Sequence, residues 1–269
     1  MAPYDLCTLS DVKAWLGRSD SNSDALLAAL VSRTGRQILS YLRRPTVLPH
    51  GVSETRDGTG SSSLMLREWP VLSVTSVAVD GHSVPAMQSF ATPGFAFEPW
   101  YGVPPGRAQI LLVGGYRLER GAQNVSIAYR AGYQISAEAQ TVMGSSVTVL
   151  APYGAWASDG GVTYANGTPL LAVAGAPLPG QYQPTPNGPG SYTFNPADNG
   201  AGVLITYGYV PADLADASIE LVAERFKYMQ RIGELSHSLG GNETVSFDNA
   251  RFTPLILSLL GPYRHVLPI

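Results

Sequence analysis

The spacing of apolar positions changes several times along the chain, and each change predicts an element. Leu9, Val12 and Leu16 share one face of a short helix over residues 8–16. Thr8 and Asp11 stand in a capping-box pattern at its start, and Gly17 stops it. A longer helix follows, capped by Ser23 or Asp20, in which Leu27, Val31, Thr34, Ile38 and Tyr41 recur at helical spacing until Arg43-Arg44-Pro45 ends it. The pair predicts an αα-hairpin with one buried stripe.

From Val47 to Tyr133 the period falls to two. Val71 to Val79, closed by Asp80-Gly81, and the alternation of Val125, Ile127 and Tyr129 predict half-buried antiparallel strands. Between them, Phe90 to Gly106 is rich in Pro, Gly and aromatics and reads as a long loop that either packs on the sheet or reaches a partner. Its candidate contacts are Phe95, Phe97, Trp100 and Tyr101. Helical spacing returns after Pro211, where Ile219, Val222, Phe226, Met229 and Ile232 make an apolar stripe and Glu220, Glu224, Lys227 and Arg231 the wetter side. The chain closes with an apolar tail, Phe252 to Ile269, that prolines interrupt, so it needs a surface to lie on.

Composition sharpens this reading. The 269 residues suffice for one large domain or two small ones. Gly 29 and Pro 21, with only 14% charged residues against about 25% in an average domain, favour turn-rich β structure. With 17 basic and 20 acidic residues, no cationic excess supplies the phosphate-neutralising term that dominates nucleic-acid affinity, so a DNA-gripping protein is disfavoured. Charge is unevenly spread: residues 135–204 hold three acids (Glu138, Asp159, Asp198), eleven Gly and eight Pro, and no Lys or Arg. Short β patches recur there at the rhythm of a small sandwich. The reading is a β module inserted into a host domain, supported by an echo of Val125 to Tyr133 in Val203 to Tyr209.

Candidate chemistry is sparse. His50, His82, His237 and His265 are isolated, with no zinc-binding spacing. Gly58-Thr59-Gly60-Ser61-Ser62-Ser63 lacks the Lys-Ser/Thr of a phosphate loop, and there is no Gly-x-Ser-x-Gly elbow. The acids Asp213, Asp216, Glu220 and Glu224 read as a solvated or ring-lining helix face. No catalytic residue, metal or cofactor is expected. The single Cys7 suits a reducing compartment, and the chain shows neither a signal peptide pattern nor an apolar span of membrane length. Fifteen of the 17 basic residues are Arg, the better partner for interface carboxylates, although genome composition gives the same bias.

The order of these parts resembles the head–tail connector (adaptor, or head-completion) proteins of tailed bacteriophages. The patterns that carry the resemblance are Leu9-Ser10-Asp11-Val12-Lys13-Ala14-Trp15-Leu16, Tyr41-Leu42-Arg43-Arg44, Trp69 to Val77 and Ile127 to Tyr133. Pro211-Ala212-Asp213-Leu214, Arg225-Phe226-Lys227-Tyr228 and Leu259-Leu260-Gly261-Pro262-Tyr263-Arg264 complete them. The resemblance implies an α+β fold: a helical connector core with a small antiparallel sheet, formed by 1–134 and 205–269 and interrupted by an Ig-like β-sandwich insertion over 135–204. It implies a non-enzymatic homo-oligomeric ring, usually dodecameric, in the virion neck. Such a ring assembles in the host cytoplasm, docks on the portal protein after DNA packaging and offers its other face to a stopper or tail-completion protein. DNA passes its lumen without sequence-specific binding, and no membrane is involved. The expected portal-docking residues are Arg251, Phe252, Leu255, Leu259, Tyr263, Arg264 and His265. The expected ring interface is Glu220 and Glu224 opposite Arg225 and Arg231. The rival readings are a tail-terminator or baseplate adaptor, and a carbohydrate-binding module or hydrolase using Trp100, Tyr101, Tyr153 and Trp156 as a stacking platform.

Overall fold

The computed structural model describes residues 4–89, 92–98, 109–185, 187–229, 236–238, 244–246 and 252–265. The chain divides into two compact units. A helical unit takes Met1–Pro45 and Val210–Arg264, and a β unit takes Thr46–Tyr209 with His265–Ile269.

Four helices make up most of the helical unit: α1 Leu9–Trp15, α2 Asp24–Leu42, α3 Ala212–Tyr228 and α4 Pro254–Leu260. The capping box at α1 is present as predicted, with Asp11 N–H donating to Thr8 Oγ1 and Thr8 N–H to Asp11 Oδ2. Ser23 stands at the N-cap of α2 but makes no side-chain capping bond, and the helix ends on Arg43 in the left-handed conformation. Cys7 and Val12, Leu27 and Val31 of α1 and α2, and Val222 and Phe226 of α3 bury together in one cluster. Each such side chain contributes about 1.5–3 kcal/mol on burial, so the helical spacing read from the sequence becomes the unit's cohesion. Gly35 lets α2 approach the N-terminal segment: a Cβ there would stand 1.9 Å from the Tyr4 carbonyl oxygen. A two-stranded ladder, Ser236–Ser238 with Thr244–Ser246, follows α3.

The β unit corrects the expected fold class. In place of a small sheet beside a helical core, it holds, among the described residues, fourteen strands in four sheets. The strands are β1 His50–Gly58, β2 Ser63–Met65, β3 Val71–Val79, β4 His82–Val84, β5 Gly94–Glu98, β6 Gln109–Val113 and β7 Gly121–Ala131. Then come β8 Gln134–Thr141, β9 Ser146–Thr148, β10 Gly154–Tyr164, β11 Leu171–Ala172, β12 Gln181–Pro184, β13 Ser191–Phe194 and β14 Gly202–Pro211. The sheet orders are β1-β7-β3-β4, β2-β6-β5, β10-β14-β8 and β11-β12-β13-β9. The physical reason for the miss is strand length. Eight of these strands have five residues or fewer, too short for a period of two to stand out, yet each completes a ladder.

The two strands that echo one another in sequence, β7 and β14, are each the centre of a three-strand arrangement. Both bury alternate residues: Val125, Ile127 and Tyr129 in β7, Val203, Ile205 and Tyr207 in β14. Two-sided pairing and burial explain why these apolar runs are the most legible strands in the chain. In the first part of the unit, Leu66, Val71, Val77, Phe95, Ile110, Leu112 and Tyr129 join β7 in a single core cluster.

Candidate functional site

Among the described residues, no group of three or more His, Cys, Asp or Glu lies close enough to hold a metal ion. No helix of the described residues is long and apolar enough to cross a membrane. Cys7 is buried and its Sγ donates to Ser218 Oγ at 3.4 Å; burial pushes the thiol up to about 11. An uncharged, enclosed thiol is no nucleophile.

On the helical unit, an open groove of about 420 Å³ is lined by Leu9, Ser10, Lys13, Ala14 and Arg18 along α1. Trp15 beside it is 60% exposed. Lys13 and Arg18 are already paired, to Asp24 at 2.8 Å and Asp20 at 3.2 Å, and the Arg18 guanidinium also covers the Phe226 ring at 5.3 Å. The groove is therefore locally neutralised, with an aromatic rim.

The C-terminal segment lies against the helical unit, as its proline-broken pattern requires. Thr253 caps α4 and Pro254 occupies its first turn. Ile256 and Leu260 are buried, while Leu255 is 56% exposed, Leu257 is exposed and Leu259 is half-buried. Phe252 packs on Tyr41, ring centroids 5.1 Å apart, and the Arg264 guanidinium lies 5.2 Å from the same Tyr41 ring. Buried Arg44 donates through Nε to the Tyr263 carbonyl at 3.0 Å, and the Tyr263 hydroxyl donates to Asp213 Oδ2 at 3.0 Å. Of the expected docking residues, then, Phe252, Tyr263 and Arg264 are engaged within the chain and Leu255 points outward. His265 is buried, and Arg251 lies outside the described residues.

Of the residues expected at the ring interface, Glu220, Glu224 and Arg225 lie on α3. Glu220 and Glu224 are half-buried on α3, exposed Arg225 donates to Gln37 Oε1 at 2.7 Å, and Arg231 lies outside the described residues. Of the aromatic loop, Phe95 sits on β5 and is buried in the core cluster. Phe97 belongs to the same strand, opposite Ile110, and Trp100 and Tyr101 lie outside the described residues. Where a single long loop is expected, β5 runs through the segment, because Gly94 to Glu98 finds β6 as a partner.

In the base-free stretch 135–204 each acid takes a tyrosine hydroxyl. Tyr207 donates to Glu138 Oε2, Tyr182 to Asp159 Oδ2 at 2.7 Å, and Tyr164 to Asp198 Oδ1 at 2.7 Å. Sequence reasoning notices the missing cations but not these substitutes, since the partners lie 23 to 69 positions away. Burial first, and then the carboxylate, pushes the hydroxyls of Tyr182 and Tyr207 above the ordinary phenol pKa. Trp156 is half-buried, and its Nε1 donates to the Tyr192 hydroxyl at 3.0 Å. Its indole N–H is therefore committed to the module's hydroxyl network.

No family model and no curated protein matches this sequence. Among solved structures, the chain is similar to one in the neck of an empty GTA particle computed with C6 symmetry. The two are 12% identical, the match covers 100% of this chain and 94% of that one, and the TM-score is 0.38.

Proposed function

We propose that this chain is a structural protein of the neck of a tailed-phage-like particle, a ring subunit that joins the portal of the head to a stopper or tail component. The observation that supports it best is a contact between two of the sequence patterns shared with head–tail connectors. Tyr41-Leu42-Arg43-Arg44 ends α2, and Tyr263-Arg264 lies more than two hundred residues later. Yet Arg44 holds the Tyr263 carbonyl and Arg264 covers Tyr41. Arg225-Phe226-Lys227-Tyr228 and Leu9 to Leu16 lie in the same unit. Weak patterns that fold into one body are a stronger sign than the same patterns scattered.

In this reading the protein works by binding and not by catalysis, and it needs no cofactor. Its net charge of -3 suits a subunit that lets DNA slide past without gripping phosphate. The outward leucines of α4, Leu255 and Leu257, are the anchors we assign to the portal, with the rest of the tail fixing α4 in place.

The test is co-sedimentation of the purified chain with DNA-filled, tailless heads that carry portals, against portal-free shells. The reading expects saturable binding to portal-bearing heads only, and at least about tenfold weaker binding for Leu255→Glu, whose exposed site tolerates charge. Equal sedimentation with both particles, or with neither, overturns it.

A further inference from the structure

Strands β1–β7 and β8–β14 are wired alike at every position but the fourth, where β4 pairs with β3 and β11 with β12. In each set the seventh strand is flanked by the first and third: β1-β7-β3 and β8-β14-β10. In each set the sixth is flanked by the second and fifth: β2-β6-β5 and β9-β13-β12. The third strand turns back antiparallel in both, at Val79↔His82 and Thr163↔Pro169. The chain after that turn then runs parallel to the fifth strand, at Ala86↔Phe95 and Leu171↔Gln181.

The hydrogen bonds correspond as well. Glu54 on β1 stands opposite Ile127, and Glu138 on β8 opposite Ile205. Two positions past each isoleucine is a buried tyrosine, Tyr129 or Tyr207. Glu54 Oε1 accepts from Arg67 N–H at 3.2 Å, and Tyr129 Oη from Glu68 N–H at 2.9 Å. Glu138 Oε1 accepts from Leu150 N–H at 2.9 Å, and Tyr207 Oη from Ala151 N–H at 3.1 Å. Even the residue two beyond the glutamate serves it in both: Arg56 NH1 lies 3.5 Å from Glu54, and Gln140 Nε2 donates to Glu138 at 2.8 Å. A shared strand order arises by convergence on a common architecture. A Glu–Tyr pair clamping the same two consecutive backbone N–H groups in both sets does not follow from strand order alone.

We infer that residues 134–211 are a second copy of the module formed by 50–131, and that this copy has become a contact surface for another molecule of the same chain, centred on Leu150 and Tyr153. The differences between the copies carry the second half. Arg67, whose guanidinium returns to 3.9 Å from Glu54, corresponds to Leu150, which is 76% exposed on the same clamped backbone. Residues 50–131 balance six basic against six acidic side chains; residues 134–211 keep three acids and no base. Large apolar side chains left exposed among the described residues are Met65 and Tyr116 in the first copy. In the second they are Met143, Leu150, Tyr153, Leu171 and Leu178. A soluble surface that loses its cations and gains exposed leucines on a backbone already fixed has the makings of an interface with little ordering left to do.

Charge selects the occupant. On α2, Arg33, Arg36 and Arg43 are exposed, no acid follows Asp24 in that helix, and none of the three has an ion pair among the described residues. The Arg36 guanidinium lies over Tyr4, which is 45% exposed. An arginine and tyrosine face complements an apolar face whose charges are all negative. When the two belong to successive molecules, the contact is heterologous, the kind that closes a ring by rotation. This assignment rests on the ring reading above for its occupant.

The experiment uses the full chain. Self-association is followed by sedimentation for the wild type, for Leu150→Arg, which restores the residue type of the first copy, and for Arg36→Glu on the opposing face. A photoreactive side chain at position 150, in mixed isotope-labelled and unlabelled protein, identifies the neighbouring peptide. Circular dichroism checks folding of each variant. The inference expects association at least about tenfold weaker in both variants, and interchain crosslinks from position 150 to the Tyr4 or Arg33–Arg36 peptides. Association unchanged by both variants, or crosslinks to other peptides only, overturns this surface and leaves a ring standing. A wild type that stays monomeric with no interchain crosslink overturns it too, while portal-specific head binding still decides the neck reading separately.

Discussion

The Tyr164 hydroxyl donates to Asp198 Oδ1 at 2.7 Å, fastening the end of β10 to a 3-10 turn, Pro196–Asp198, that leads into β14. Asp198 is buried in a stretch without a single cation. A phenol can satisfy a carboxylate there without adding charge to an interior that has none to balance. Glu138 and Asp159 are met in the same way, so the module's electrostatics depend on tyrosines staying protonated.

That dependence sets a behaviour in alkali. Burial is the first cause holding Tyr129, Tyr182, Tyr192, Tyr207 and Tyr209 above the phenol reference of 10.0. A group held protonated more firmly in the folded state contributes its full stability below the unfolded value and loses it as pH rises beyond. The contribution of these tyrosines to the β unit's stability is thus expected to stay constant up to about pH 10 and to fall above it. Tyrosinate absorbance from these five rings should appear together with loss of β-sheet dichroism; early, non-cooperative ionisation of all five would contradict the burial pattern.

The Glu–Tyr clamps make a matched pair of substitutions informative. Tyr207→Phe takes the acceptor from the Ala151 N–H and removes one of the bonds to Glu138, and Tyr129→Phe takes the hydroxyl acceptor from the Glu68 N–H. Each is expected to cost about 1–3 kcal/mol, read as a fall in denaturant midpoint with the slope unchanged. A neutral result at either site would show that its clamp is not formed.

Gly35→Ala reverses a common expectation. Alanine in a helix interior ordinarily gains about 1 kcal/mol over glycine. Here the added methyl meets the Tyr4 carbonyl oxygen at 1.9 Å, so α2 or the N-terminal segment must shift. Destabilisation of about 1–3 kcal/mol is expected in thermal or chemical unfolding, and a gain in stability would contradict the close approach.

Cys7 is 1% exposed, and burial pushes its thiol up to about 11. Thiol reagents at neutral pH should therefore label it only as fast as the helical unit opens. Adding denaturant should raise the labelling rate steeply. Immediate full labelling of the native protein would place Cys7 at the surface instead.

The helices were the legible part of this sequence. Thr8 and Asp11 cap α1 locally, and the apolar stripe of α2 buries nearly as spaced, because both depend on neighbours within a few positions. The strand β3 was readable to the residue, and β7 and β14 showed through their alternation. What stayed hidden is non-local. β8 and β12 carry few apolar residues, and they exist because β14 and β13 pair with them. The sequence calls for a surface beneath the tail without saying which, because nothing in Phe252 or Tyr263 announces Tyr41, Asp213 and Arg44 as partners. The likeness of Glu54 to Glu138 is invisible as well, since the residues they hold, Arg67 and Leu150, share nothing but a backbone N–H.

The absence of cations from the second module also governs how the chain can be cut. Between Arg130 and Arg225 there is no Lys or Arg, so trypsin finds no site across the whole of β8 to β14 and most of α3. The first module offers Arg56, Arg67, Arg107, Arg117, Arg120 and Arg130. Two bodies wired alike at all but one strand will thus meet one protease with opposite fates, the first open to nicking at six places and the second released only as a single long fragment.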